Sequence, residues 1–241
     1  MVRVLTYNVH SFVGTDRRRD RGRVARAIAE SEARIVALQE VRFREAGEDA
    51  HALARLADDL KMDFAFQRTA RFGEDEFGLA ILTDRPMRLV KGGPLPRLGP
   101  AMPERRCALW CAVDVDGREV DVFCTHLAVL SARDRLAQAQ ALLGPDWIEA
   151  ARNPAILMGD LNAGRSAAAY RRLAERLVCA RAATPERHAT FPSWMPLTRI
   201  DHIMGANGAR FREPQALRTP TARVASDHLP FAAKLAFEDQ D

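Results

Sequence analysis

Short apolar runs that end in an acid, an amide or an imidazole constrain this chain more than any other feature. VRVLTYN (2–8) ends at Asn8, with His10 just beyond, and IVALQEV (35–41) carries Glu40 near its end. REVDVFCTHL (118–127) delivers His126, and PAILMGDLN (154–162) delivers Asp160 and Asn162. RIDHIM (199–204) holds Asp201, and SDHLPFAAKLAF (226–237) opens on Asp227 and His228. Runs of this length and composition are strands. A strand end at a sheet rim is where side chains from distant sequence converge on one ligand. Singly, each residue has a plainer explanation: a strand end for Asn8, a surface position for Glu40, an Asx turn at Asp160–Asn162, a turn cap at Asp227 before Pro230. As a set they are better explained by an active site.

Helical spacing falls between the strands. Val24, Ala25, Ile28, Ala29 and Ala33 form one stripe, and Leu53, Leu56, Ala57 and Leu60 another at about 49–60. Further helices are expected at 132–150 and 166–177, and further strands at FGLAILTDRP (77–86) and RRCALWCAVDV (105–115). Gly92, Gly93, Pro94, Pro96, Gly99, Pro100 and Pro103 read as the connection between those two strands. Each half runs strand, helix, strand, helix, then strands without helices. That order suggests two mixed sheets packed together with helices outside. No linker stands out, so residues 1–241 are expected to form one domain. With 241 residues, 47% of them hydrophobic, a large core is available.

Composition excludes several classes. No apolar run approaches the roughly 18 residues that cross a bilayer, and MVRVLTYNV at the start has no signal-type apolar stretch. Cys107, Cys111, Cys124 and Cys179 form no CxxC pair, so buried free thiols in a reducing cytoplasm are expected. The formal charge of +4 is too mild to prove an anionic partner. Its distribution is uneven, with Arg17, Arg18, Arg19, Arg21 and Arg23 in one stretch and Arg165, Arg171, Arg172, Arg176 and Arg181 in another. A solvated loop and helix face is the plainer account of each cluster. No obligate protein partner is evident.

The chemistry of the polar set points one way. Carboxylate and amide oxygens suit a hard cation such as Mg2+ or Mn2+. There is no HExxH pair, no GxSxG elbow and no GxxxxGK[ST] loop. A hard cation, a base to align water and a proton donor are what phosphate-ester hydrolysis needs.

TYNVH (6–10), LQEV (38–41), FGLAILTDRP (77–86), ERRCALW (104–110), THL (125–127), GDLN (159–162), RIDHI (199–203) and SDHLP (226–230) follow in order. Together they resemble the endonuclease/exonuclease/phosphatase superfamily across about residues 4–231. The resemblance implies a four-layered αββα sandwich, two mixed β-sheets face to face with helices outside. It implies Glu40 as principal metal ligand with Asn8 beside it, contacting metal or phosphate, and Asp227 as a further carboxylate of the metal site. Asp160 would position or deprotonate the attacking water, and Asn162 would bond the phosphoryl oxygens. His228, oriented by Asp201, would contact the scissile phosphate. His126 looks like the histidine that assists the leaving group, and Arg106 would contact phosphate.

Two departures matter. His10 stands where several members carry an acid, which suggests a softer metal site in which Mn2+ serves at least as well as Mg2+. THL replaces the tyrosine-containing segment of the abasic-site repair branch and argues against that task. The implied substrate is a phosphate ester, a nucleic acid or a phospholipid headgroup. The Arg17–Arg23 loop, expected near the rim, could grip either, and Trp194 could stack a base or touch lipid. The alternative is an inactive member of the fold that binds nucleic acid or protein.

Overall fold

The computed structural model describes residues 1–44, 51–99, 105–180 and 189–238. Two six-stranded sheets form the framework. The first contains β1 (Val2–Asn8), β2 (Ile35–Phe43), β3 (Asp63–Phe72), β4 (Asp75–Thr83), β11 (Ala209–Ala216) and β12 (Phe231–Phe237), in the order β11-β12-β1-β2-β4-β3. The second contains β5 (Met87–Pro94), β6 (Cys107–Val115), β7 (Arg118–His126), β8 (Ala155–Asp160), β9 (Val178–Cys179) and β10 (Asp201–Ala206), in the order β5-β6-β7-β8-β10-β9. Each sheet has one parallel pair at its centre, β1 with β2 and β7 with β8, flanked by antiparallel strands.

The apolar runs are continuous because these strands are covered on both faces. In β6 and β8, Cys107, Leu109, Cys111, Ile156 and Met158 join the core that Val4, Leu38 and Ile81 of the first sheet share. Their neighbours Ala108, Trp110, Ala155 and Leu157 face the other way, against α3 (Ala132–Leu142) and α4 (Ala168–Ala174). The first sheet is covered by α1 (Arg21–Ser31) and α2 (Ala52–Leu60), with Val24, Ile28, Leu53 and Leu56 in its core; α5 (Pro220–Ala225) packs beside α1. This is the mixed αββα sandwich expected from the sequence. Caps start the helices where the chain turns: Asp20 accepts from the Arg23 N–H, Ser131 from Asp134 and Thr219 from Ala222.

Several expectations are corrected. Gly92, Gly93 and Pro94 do not connect strands but end β5, an edge strand where proline's missing N–H costs no ladder bond. The helix expected at 132–150 stops at Leu142, ahead of Gly144 and Pro145, leaving only a 3-10 turn at Ile148–Ala150. SDHLP is a loop, and the last strand starts after Pro230. Strands β3 and β11 and helix α5 were not expected. Arg21 and Arg23 belong to α1 and pair with Asp59 and with Asp16 and Asp20, while Arg17, Arg18 and Arg19 stay exposed in the loop before it. Arg181 and residues 49–50 of the expected second helix lie outside the described residues. All four cysteines are free and buried. No described helix is long and apolar enough to cross a membrane.

Candidate active site

The topology gathers the polar residues at one edge of the sandwich. Asn8 ends β1, His126 ends β7 and Asp160 ends β8, so the two parallel pairs point their carboxyl ends the same way. Asp201 starts β10 directly opposite Asp160. Asp227 and His228 hang in the loop before β12. Glu40 lies inside β2 rather than at its end. The β2–β4 register shifts between Leu38 and Val41, and Glu40 takes a left-handed backbone with φ of 55°. A bulge of this kind re-aims a side chain at a functional edge.

Asn8 joins the two sheets. Its Nδ2 donates to Glu40 Oε1 at 3.0 Å and to Asp160 Oδ2 at 3.1 Å, while its Oδ1 accepts the His10 N–H at 3.0 Å. Asp160 Oδ1 accepts the Asn162 N–H at 2.8 Å, and Oδ2 lies 3.5 Å from His126 Nε2 and 3.8 Å from His228 Nε2. His228 Nδ1 lies 2.9 Å from Asp201 Oδ2, which also accepts the Thr190 hydroxyl at 2.5 Å. Asn162 Nδ2 donates to the Leu127 carbonyl at 3.0 Å and sits 3.0 Å from His126 Nε2. An amide donor there makes Nε2 the acceptor nitrogen of a neutral ring.

The site has two tiers. Asp160, Asp201, His126 and His228 are buried, whereas Glu40, His10 and Asp227 are partly open to solvent. Burial and the nearby Asp201 carboxylate push the Asp160 carboxyl up to about 7. Burial pulls the His228 imidazole down, but Asp201, Asp160 and Asp227 outweigh it and raise His228 to about 10. His126 goes the other way: burial, then the charges of Arg106 and His228, hold it well below the usual histidine value. His228 therefore carries the site's positive imidazolium, and His126 is neutral.

These residues fit a divalent cation. Asp160, Asp201 and His228 offer ligand atoms within 4.8 Å of one another. Asp201 Oδ2 is already committed to His228 and Thr190, so that pair is better described as an acid–imidazole couple. The more open donors are Glu40, Asp227 and His10, with the buried Asn8 beside them. His10 Nδ1 faces the Val13 carbonyl at 3.1 Å and lies 3.8 Å from Asp227 Oδ1. A proton on Nδ1 leaves Nε2 with its lone pair for a ligand.

The acids, amides and imidazoles singled out in the sequence lie at this edge, Arg106 on the approach to His126, whereas Trp194 is an exposed loop residue. Sequence reasoning missed Thr190, which clamps Asp201, and Phe191, whose ring lies 4.8 Å from that of His228. It also missed Ser226, whose hydroxyl donates to the Asn8 carbonyl at 2.8 Å while accepting the His228 N–H at 3.2 Å. A threonine eleven residues before a strand carries no recognisable signal. Ser226 sits inside the SDH motif and could have been included.

The chain matches the Endonuclease/Exonuclease/phosphatase family over residues 5–228. It is 30% identical to YbhP of Escherichia coli (strain K12), with 97% of this chain and 95% of that protein covered. Among solved structures, an endonuclease/exonuclease/phosphatase from Beutenbergia cavernae aligns at a TM-score of 0.76 with 25% identity, covering 98% of this chain and 71% of that one. A mannosyl-6-phosphatase from Bacteroides thetaiotaomicron aligns at 0.75 with 19% identity, covering 98% and 100%. The chain belongs to the endonuclease/exonuclease/phosphatase family, whose members are phosphoesterases and generally depend on divalent metals.

Proposed function

We propose that this protein is a divalent-metal-dependent phosphodiesterase that cleaves nucleic-acid or phospholipid diesters by in-line attack of water. The observation that carries this is the Asn8 bridge, which holds an open carboxylate, Glu40, beside a buried acid–imidazole chain of Asp160, His228 and Asp201. Glu40, Asn8, Asp227 and His10 would hold Mg2+ or Mn2+. When bound, the cation would offset the charge that builds on the phosphoryl oxygens. Asp160, with its carboxyl raised toward neutrality, aligns and deprotonates water. His228 presents an N–H donor to the phosphoryl group, Asn162 would turn one amide N–H from His126 to join it, and Asp201 fixes the His228 ring. His126 and Arg106 lie on the leaving-oxygen side. Donors fixed in advance, out of bulk water, are worth more than the same groups in solution. The four buried thiols agree with a reducing cytoplasm.

Hydrolysis of bis-p-nitrophenyl phosphate with Mn2+ tests the proposal. EDTA should abolish turnover, and Asp160→Ala or His228→Ala should each lower kcat by about a hundredfold or more. Equal rates in wild type and both variants would leave only a binding role for the fold.

A further inference from the structure

We propose that an arginine-lined channel leading away from His126 is a binding track for a single-stranded oligonucleotide; this rests on the phosphodiesterase reading and names its substrate class. The channel consists of two cavities in series. The first, about 570 Å³, opens beside the active site, between the end of β5, the start of β6 and the loop after β7. Arg97, Arg105 and Arg106 line it over an apolar floor that includes Leu95 and Val129. The second, also about 570 Å³, shares Pro94 and Arg105 with the first and continues to Arg68 and Arg71 on β3. The Arg105 N–H donates to the Thr69 carbonyl at 3.0 Å, tying the segment before β6 to β3, the edge strand of the first sheet, along this path. Arg106 stands close enough to His126 for its charge to bear on that ring, so the track begins where the leaving oxygen would depart.

The walls of the first cavity are set before any ligand arrives. Gln138 accepts the Ala128 N–H at 2.9 Å and donates to the Pro96 carbonyl at 3.2 Å, and Arg135 holds the carbonyls of Ala128 and Val129. Asp134, the carboxylate among the described lining residues, accepts the Leu98 N–H at 2.6 Å and is further engaged by Gly99 and Ser131. It therefore braces the wall, and the charge of Arg97 beside it offsets its own. The exposed Arg68 pairs with the half-buried Glu76 at 2.6 Å, a rim contact worth about 1 kcal/mol or less that a phosphate can replace.

Cations spaced along a groove fit a chain of phosphates, and apolar floor between them accepts the faces of bases without selecting among them. A lone phosphate ester would leave the second cavity without purpose. A bilayer surface would be met by projecting side chains, not by arginines that line concavities.

The test is binding of a labelled single strand of about twelve nucleotides to the protein in EDTA, which leaves the strand uncut, over a range of salt concentrations. Arg97→Gln, Arg105→Gln and Arg71→Gln should each flatten the log–log salt slope by about 0.7. Arg152→Gln, which lines a cavity at the opposite end of the sheets, should leave it unchanged. Wild-type slopes in all three track variants would overturn the proposal. So would loss of binding to phosphatidylglycerol vesicles, but not to the strand, in those variants. Turnover of bis-p-nitrophenyl phosphate, run alongside, separates the two levels. Hydrolysis with unchanged slopes refutes the track alone. Slopes that respond without any metal-dependent hydrolysis support the track and refute the phosphodiesterase.

Discussion

At the scale of single residues, the site is a set of protons held away from their usual values. His228 is raised to about 10 by three carboxylates that overcome its burial. A raised value in the folded state means that the imidazolium contributes stability fully below the unfolded histidine value, and that this is lost as pH rises through the folded one. In EDTA, the free energy of unfolding should therefore fall by about 1 kcal/mol per pH unit between about pH 7 and 9. Asp160, raised to about 7, is half ionised at the start of that window and adds to the slope only in its lower part, while Cys111 and Cys124, raised to about 12, lose stability from its upper end onward. His228→Gln should flatten the slope, read by urea titration at each pH; an unchanged slope would assign it elsewhere. His10 supports a second prediction, since its free Nε2 softens an otherwise oxygen-rich site. Turnover at matched concentrations should be at least as fast with Mn2+ as with Mg2+, and His10→Asp should move the preference toward Mg2+. A strict Mg2+ preference in the wild type would refute it. Both histidines were legible in the sequence as residues flanking apolar runs. The Thr190 clamp on Asp201 was not, because a hydroxyl's use depends on what folds against it.

At the scale of elements, the site depends on where strands stop and where one of them bulges. The left-handed backbone at Glu40 costs about 1–2 kcal/mol for a residue with a Cβ, and the β2–β4 pairing holds it there. On the other side of β4, Gly78 lets β3 come close: a Cβ on it would meet the Gln67 carbonyl oxygen at 2.3 Å and the Phe66 ring at 2.7 Å. Gly159 plays the same part between β7 and β8. A Cβ there would sit 2.1 Å from the Thr125 carbonyl oxygen, one residue from both His126 and Asp160. Gly159→Ala must part those strands, so it should cost about 1–3 kcal/mol and also lower kcat, because the two side chains move with their strands. Thermal unfolding and turnover check it together; a variant with wild-type activity would show that the strand ends tolerate displacement. Existence and type were legible for the continuous apolar runs. They were not for β5, whose Gly-Gly-Pro end reads as a turn, nor for β3 and β11, whose exposed positions mask their period.

At the scale of the whole molecule, the two sheets are one packing problem. Ile156 and Met158 of the second sheet share a core with Leu38 and Ile81 of the first. Ile156→Ala, far along β8 from Asp160, should cost about 2–5 kcal/mol while leaving kcat near wild type under folding conditions. Its denaturation should stay a single transition by near- and far-UV circular dichroism, as expected if residues 1–241 fold as one unit. Two separated transitions would show that the halves fold apart. By itself the sequence determined which segments are buried strands and which polar residues stand beside them, because burial on both faces writes an unbroken apolar run and chemistry writes the acid, amide or imidazole at its end. Only the tertiary structure decided that Asn8 bonds Glu40 and Asp160 at once, that His228 is charged while His126 is neutral, and that arginines from three separate strands and loops line one channel. Those outcomes depend on distances of a few ångströms between residues as much as 152 positions apart, and local sequence does not encode such distances.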